Sequence, residues 1–300
     1  MQSKSFFSEC RTCYREKCTT SSGAILSYRN EGNIRGLGSD VRLKDFLYFC
    51  LPMYNISHLL IGHHRQRIIN KVPDGWTCSL PQGKVTCLLG RNGIGKSTLL
   101  LTLAGILPPL GGNIILDRQP LQNYSRKELA RKVSLVLTGI LPSSPIRVSQ
   151  LVAMGRYSYT DFLGRMSKED QQKATAAMQI MGIGELADRR VDELSDGERQ
   201  KALMAKAIAQ DTPVILLDEP TSFLDYPNKM ECMKILQKMA TEEGKTILLS
   251  THDLDIAFRM ADYFWAILPN KGICLGNQEE LVRQKALEGM DLPQYLTQQK

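Results

Sequence analysis

The sequence has no apolar run long enough to cross a membrane. A helical span needs roughly 18 to 20 consecutive apolar residues, and the longest candidate, Thr98 to Leu107, is short and contains Thr and Gly. A secretory signal core is also absent, because Ser, Glu, Cys and Arg interrupt the first residues at once. The chain is therefore expected to remain in the cytoplasm, where its eight cysteines stay reduced. No block of basic residues carries interleaved aromatics, which argues against nucleic acid as a partner. Nor does any set of four ligands at zinc-finger spacing occur. Cys10, Cys13 and Cys18 give C-x2-C-x4-C, but no histidine or cysteine follows to complete it.

The totals fit an ordinary soluble globular protein, with 43% hydrophobic and 23% charged residues. Three hundred residues make one large or two modest domains, at about 150 residues each. The formal charge is +7, of which residues 1 to 50 hold a +3 share. A mild excess of this kind suits a nucleotide binder or a protein near an anionic membrane, and a neutral solvated surface equally well.

The densest chemistry lies between Val85 and Leu107. An apolar run of strand length, Val85 to Leu89, meets Gly90-Arg91-Asn92-Gly93-Ile94-Gly95-Lys96-Ser97-Thr98, and an apolar helix-like segment follows. The spacing is Gly-x4-Gly-Lys-Ser, a phosphate-binding loop. Glycines let successive N–H groups turn inward around phosphate oxygens. The helix that follows adds the positive end of its dipole. Lys96 reaches toward the β- and γ-phosphates and Ser97 offers a hydroxyl to Mg²⁺. Strand, loop, Lys-Ser pair and helix fall in the required order, which separates this stretch from a glycine turn that binds nothing.

Residues 1 to 54 read as an N-terminal extension, disordered or preceding the true start, since glycines, serines and scattered charges break every period. A folded module is expected over residues 55–285, with a tail over 286–300. Short strands are expected at Ile56 to Leu60, between Ile68 and Leu80, and at Asn113 to Leu116. Ser125 and Glu128 form a capping box before a short helix. Val133 to Leu137 is a further strand, and residues 139–200 form a helical insertion in which Ser167 caps a helix that stops at Gly182. Ser195 and Glu198 form another capping box, for a helix running to about Gln210. Val214 to Leu217 is wholly apolar, as buried parallel strands are, and it ends in Asp218-Glu219. An amphipathic helix over residues 228–243 presents Met230, Met233, Leu236, Met239 and Ala240 on one face, and Gly244 ends it. Lys245 to Leu249 is the next strand, leading to His252.

At this point the chain resembles the ATP-binding-cassette ATPases, over roughly residues 55–285. Gly90 to Thr98 matches the family's Walker A loop, Leu194 to Gln200 its signature motif, and Val214 to Glu219 its Walker B strand. Ser222 to Asp225 matches the D-loop, and His252 the switch histidine. The resemblance implies an α/β fold of the P-loop NTPase type: a parallel sheet, antiparallel strands on the N-terminal side and an inserted helical subdomain. It implies ATP and Mg²⁺ as cofactors. Asp218 would hold Mg²⁺ through water, Glu219 would polarise the attacking water, and His252 would hydrogen-bond the γ-phosphate. Ser195, Gly197 and Glu198 would face the nucleotide of a second copy, so that two chains sandwich two ATP molecules. Taken alone, Ser195 is an N-cap, and the two roles are compatible.

The chain departs from the family pattern at three places. Asp196 and Glu198 add negative charge to the signature. Thr138 stands at the Q-loop glutamine's position and is at most a weak Mg²⁺ ligand. The aromatic that stacks on adenine is replaced by His63 or His64, His63 being preferred. About 56 residues separate Leu137 from the signature, too few for a coiled-coil insertion, and there is one module rather than two. Val148 to Tyr157 resembles the helix after the Q-loop in importers of iron chelates, haem and cobalamin. The reading is thus the ATPase subunit of such an importer. It would sit at the cytoplasmic face of the inner membrane as a homodimer under integral permease subunits, supplied by an external binding protein. The alternative is a soluble cassette ATPase of the iron–sulphur assembly type, without a permease.

Overall fold

A computed structural model describes the backbone of residues 10–14, 17–20 and 25–27, and residues 52–63, 67–69, 74–138, 145–269 and 272–287. The chain divides into two compact units, Met1–Leu51 and Pro52–Lys300. In the first, β1 (Cys10–Tyr14), β2 (Lys17–Thr20) and β3 (Ile25–Ser27) form an antiparallel sheet in which Cys13 lies opposite Cys18. Apart from these three backbones, the expected disorder of the extension and the cysteine side chains that bear on a metal site lie outside the described residues.

The second unit holds, in chain order, β4 (Tyr54–Leu60), β5 (Gly62–His63), β6 (Arg67–Ile68), β7 (Trp76–Leu80), β8 (Val85–Leu89) and α1 (Lys96–Leu103). Next come β9 (Gly111–Leu116), β10 (Gln119–Pro120), α2 (Arg126–Lys132), β11 (Val133–Val136), α3 (Val148–Ala153), α4 (Lys168–Ile180) and α5 (Asp196–Ala209). The unit closes with β12 (Val214–Asp218), α6 (Tyr226–Glu243), β13 (Thr246–Ser250), α7 (Leu254–Met260), β14 (Tyr263–Leu268), β15 (Gly272–Gly276) and α8 (Gln278–Arg283).

The local reasons match the sequence. Ser125, Ser167 and Ser195 each accept a backbone N–H at N3, and Glu128, Asp170 and Glu198 reach back to the cap, so each helix start satisfies two orphan donors. Asp225 caps α6 with a proline in its first turn, and Gly244 ends that helix in the left-handed region at φ 69°.

Two sheets organise this unit. One is antiparallel, in the order β10-β9-β4-β7. The other runs β11-β12-β13-β8-β14-β15, parallel except for β15. Alternation along the strands of the second sheet sends side chains to opposite faces. Cys87, Leu89, Ile215, Leu217, Ile247 and Leu249 enter one core, shared with α3–α7. Leu88, Val214, Leu216, Leu248 and Trp265 enter a second core, shared with α1 and the antiparallel sheet. The strands are buried on both faces, which explains the unbroken apolar run at Val214 to Leu217.

The helical subdomain is held by Arg156, whose residue is 3% exposed. Its Nε and Nη2 donate to Asp170 Oδ1 at 2.9 and 2.8 Å, and Nη1 donates to the Ala209 carbonyl at 2.9 Å. The guanidinium carbon sits 3.8 Å from the Tyr159 ring centre. Beside it, a Cβ at Gly155 would lie 2.3 Å from the Lys206 carbonyl oxygen, so only glycine lets the turn after α3 approach α5 this closely. The stretch Val148 to Tyr157, singled out in the sequence for its resemblance to importers, is therefore also the rivet of this subdomain.

Candidate nucleotide-binding site

Four neighbouring strands end on one edge of the parallel sheet, where open α/β sheets take their ligands. β8 leads into the glycine loop, β12 into Asp218 and Glu219, β13 into Ser250 and His252, and β11 toward Thr138.

The glycine loop folds over the start of α1. Lys96 is buried, and its Nζ donates to the carbonyls of Gly90 at 2.8 Å and Arg91 at 3.3 Å. Burial pushes the ammonium below its ordinary lysine range, while the Glu219 and Asp218 carboxylates pull the other way. Gly95, the helix cap, has φ 108°, and a Cβ there would meet Ile69 Cγ2 at 2.9 Å. Both facts require glycine. A cleft of about 580 Å³ opens here. It is lined by the glycine loop and the start of α1 from Asn92 to Thr98, together with Ile69 and Glu219.

Across the cleft, Asp218 is buried and accepts from Ser250 Oγ at 2.6 Å. Glu219 stands in the left-handed region at φ 44°, rare for a residue with a Cβ. Its Oε2 accepts from Ser222 Oγ at 3.0 Å and lies 3.2 Å from His252 Nδ1, a distance at which an Nδ1–H donates to a carboxylate. Thr138 Oγ1 donates to the main-chain carbonyl of Asp218.

The arrangement fits a metal–nucleotide complex. A buried lysine and a glycine loop at a helix N-terminus supply positive and N–H character for phosphates. One buried carboxylate and the Ser97 hydroxyl supply hard oxygen donors. Among the described residues no cluster of three metal-binding side chains occurs.

The signature residues form their own turn. Ser195 Oγ donates to Glu198 Oε2 at 2.8 Å and accepts from the Glu198 N–H at 3.3 Å. The backbone and side-chain hydrogen bonds from Ser195 hold Glu198 below the usual carboxylate range. Asp196 pairs with Arg199 at 3.1 Å, which offsets its added charge locally. A Cβ at Gly197 would sit 3.3 Å from the Phe223 carbonyl oxygen, so the start of α5 lies close to the main chain at Phe223. Lys201 Nζ donates to Asn228 Oδ1 at 2.6 Å, and Lys229 pairs with Asp253 at 2.9 Å. The first turn of α6 thus reaches both the signature helix and the residue after His252.

The structure brings Gly90, Lys96, Asp218, Glu219 and His252 to one edge of the sheet. The backbone of His63 lies in β5, and its side chain is outside the described residues. Sequence reasoning missed Ser250 as a partner of Asp218, and it placed Ser222 in the D-loop without its bond to Glu219. Ser250 stands two residues before His252, but only the strand register places it opposite Asp218.

Residues 74–222 match the family described as ABC transporter. The ferric enterobactin transport ATP-binding protein FepC of Escherichia coli K12 is 39% identical over 72% of this chain and 80% of its own length. The petrobactin import ATP-binding protein FpuD of Bacillus anthracis is also 39% identical, over 71% of this chain and 78% of its own. Among solved structures, a metal-chelate type ABC transporter in an inward-facing conformation superposes with a TM-score of 0.67 at 25% identity, covering 80% of this chain and 89% of that one. CbiO1 of Clostridium perfringens, part of the ABC transporter complex cbiONQ, gives 0.64 at 28% identity, over 79% and 95%. This chain belongs to the ABC transporter family and carries its ATPase cassette. These two relatives are named for transport and import rather than for cofactor assembly.

Proposed function

We propose that this chain is the ATP-hydrolysing subunit of an importer for an iron chelate of the siderophore class. The observation that carries the catalytic part is the Glu219–His252 pair, 3.2 Å apart at the edge of the Lys96-lined cleft. The transported substrate rests on the relatives named for ferric enterobactin transport and petrobactin import.

Lys96, the glycine-loop amides and the start of α1 bind and orient the phosphates. Ser97 and Asp218 would hold Mg²⁺, which neutralises phosphate charge when bound. Glu219 takes the proton of the attacking water, and His252 keeps the carboxylate aimed. Hydrolysis is then a matter of position and charge. Thr138 acts on the Walker B main chain rather than as a metal ligand in this reading.

Two copies closing around nucleotide, with Ser195, Gly197 and Glu198 offered to the opposite copy, would drive a pair of permease subunits. An external binding protein would supply the chelate. The chain would sit peripherally at the cytoplasmic face of the inner membrane, and no described helix is long and apolar enough to cross one. Purification of the chain from its native membranes in mild detergent tests this. A polytopic permease in equal amount is expected, whereas recovery with soluble partners alone would replace the importer with the assembly ATPase.

A further inference from the structure

The peptide unit between Asp218 and Glu219 is held at both ends by side-chain hydroxyls from the two flanking strands. Its carbonyl accepts from Thr138 Oγ1, beyond the end of β11. Its N–H donates to Ser250 Oγ at 2.9 Å, at the end of β13. The Ser250 hydroxyl has one proton, and it gives that proton to Asp218 Oδ1 at 2.6 Å. We propose that Thr138 and Ser250 form a hydroxyl clamp on this peptide, and that both are positioning residues for ATP hydrolysis.

The geometry follows from register. Asp218 pairs with Ser250 across β12 and β13, and Leu217 pairs with Val136, two residues before Thr138. Each neighbour of β12 therefore delivers one hydroxyl to the same plane. The clamp answers a specific need, because Glu219 sits at φ 44°, where a Cβ crowds the backbone. Rotating the peptide about its Cα–Cα axis would relieve the left-handed φ of Glu219 and re-set the backbone that carries its carboxylate. That rotation breaks both hydroxyl bonds at once. The residue that would hold the cation and the residue that would activate water lie on either side of this one peptide, so fixing it orients both before nucleotide arrives. The departure at Thr138 thereby acquires a use: a glutamine's job of reaching across the site is replaced by a short hydroxyl that bonds the Walker B main chain.

The inference rests on Glu219 as the water-activating group, and four substitutions in the full chain separate the two. Thr138→Val removes one hydroxyl at nearly constant volume, and Ser250→Ala removes the other. Each is expected to lower kcat for ATP about tenfold, the size of one hydrogen bond lost to a buried polar group. KM and the affinity for a fluorescent ATP analogue should stay within about twofold. Thr138→Ser should restore turnover. The double variant should lose clearly less than the roughly 100-fold product of the two, because both hydroxyls restrain one peptide. A kcat within about twofold of the parent in both single variants would overturn the clamp, and so would losses that fall equally on analogue affinity and are not rescued by serine. Should Ser250→Ala fail to fold, the part-exposed Thr138 pair decides the matter. Glu219→Gln supplies the other arm. If it keeps full turnover, the general-base reading fails, whereas its collapse beside unaffected clamp variants removes only the clamp.

Discussion

Asp170→Ala should unfasten the helical subdomain, and the structure sets the size of the effect. Asp170 Oδ1 takes two donors from Arg156, at 2.8 and 2.9 Å, in a place where the side chains are only 3% and 7% exposed. Its other oxygen takes the Ser167 N–H at 3.0 Å and hydroxyl at 2.6 Å, closing the capping box of α4. Removal strands a buried guanidinium, which costs about 3–5 kcal/mol. In a unit of this size each kcal/mol is worth about 2–4 °C, so the melting temperature should fall by about 6–20 °C. Differential scanning calorimetry of the full chain measures it. Glu169→Ala, which breaks only an exposed contact to Lys173 at 3.4 Å, is the control. It should move the midpoint by at most about 2 °C, from a loss of roughly 0.5 kcal/mol. The Ser167 hydroxyl foremost, with its backbone N–H and Arg156, holds the Asp170 carboxyl below the usual range against the opposing effect of burial. A depressed carboxyl contributes stability above the unfolded value of about 3.9 and loses it as pH falls through the folded value. The gap between parent and Asp170→Ala should therefore be full at neutral pH and close in acid. A fall under about 2 °C at pH 7 would refute the rivet.

Other outcomes follow from single contacts. Lys96→Ala should weaken ATP binding by about 10- to 150-fold, the value of a charge-assisted contact to phosphate, as read by titration with a fluorescent analogue. Glu219→Gln should lower turnover by about 10²–10⁴-fold while ATP still binds, as read by phosphate release. Gly155→Ala forces a methyl to within 2.3 Å of the Lys206 carbonyl oxygen, and its melting temperature should fall by several degrees.

Much of the fold was legible because its signals are local. The Ser125–Glu128 and Ser195–Glu198 boxes, the cap at Ser167 and the stop at Gly244 each lie within one turn of the element they bound. The apolar run at Val214 already indicated a strand buried on both faces. The glycine loop, Asp218, Glu219 and His252 were legible because their chemistry demands particular residue types at particular spacings. What escaped depends on distance in sequence. Ser250 meets Asp218 only through a register 32 residues apart in the chain, and Thr138 meets the same residue across 80. Arg156 reads as one more surface arginine until Asp170 and the end of α5 close over it. Pattern reports which face a strand buries, but it does not report which strand stands beside it.

The parallel sheet separates two apolar compartments, and this partition has a consequence for how the molecule can vary. Leu99, Leu100 and Leu103, which seat the helix behind the phosphate loop, belong to the compartment with the antiparallel sheet. Ala202, Met204 and Ala205, which seat the signature helix, belong to the other. The helix behind the phosphate loop and the helix that begins after Ser195 are thus anchored in separate interiors. Substitutions can soften or stiffen one interior while the other keeps its shape, so the tuning of motion and the tuning of affinity are open to change one at a time.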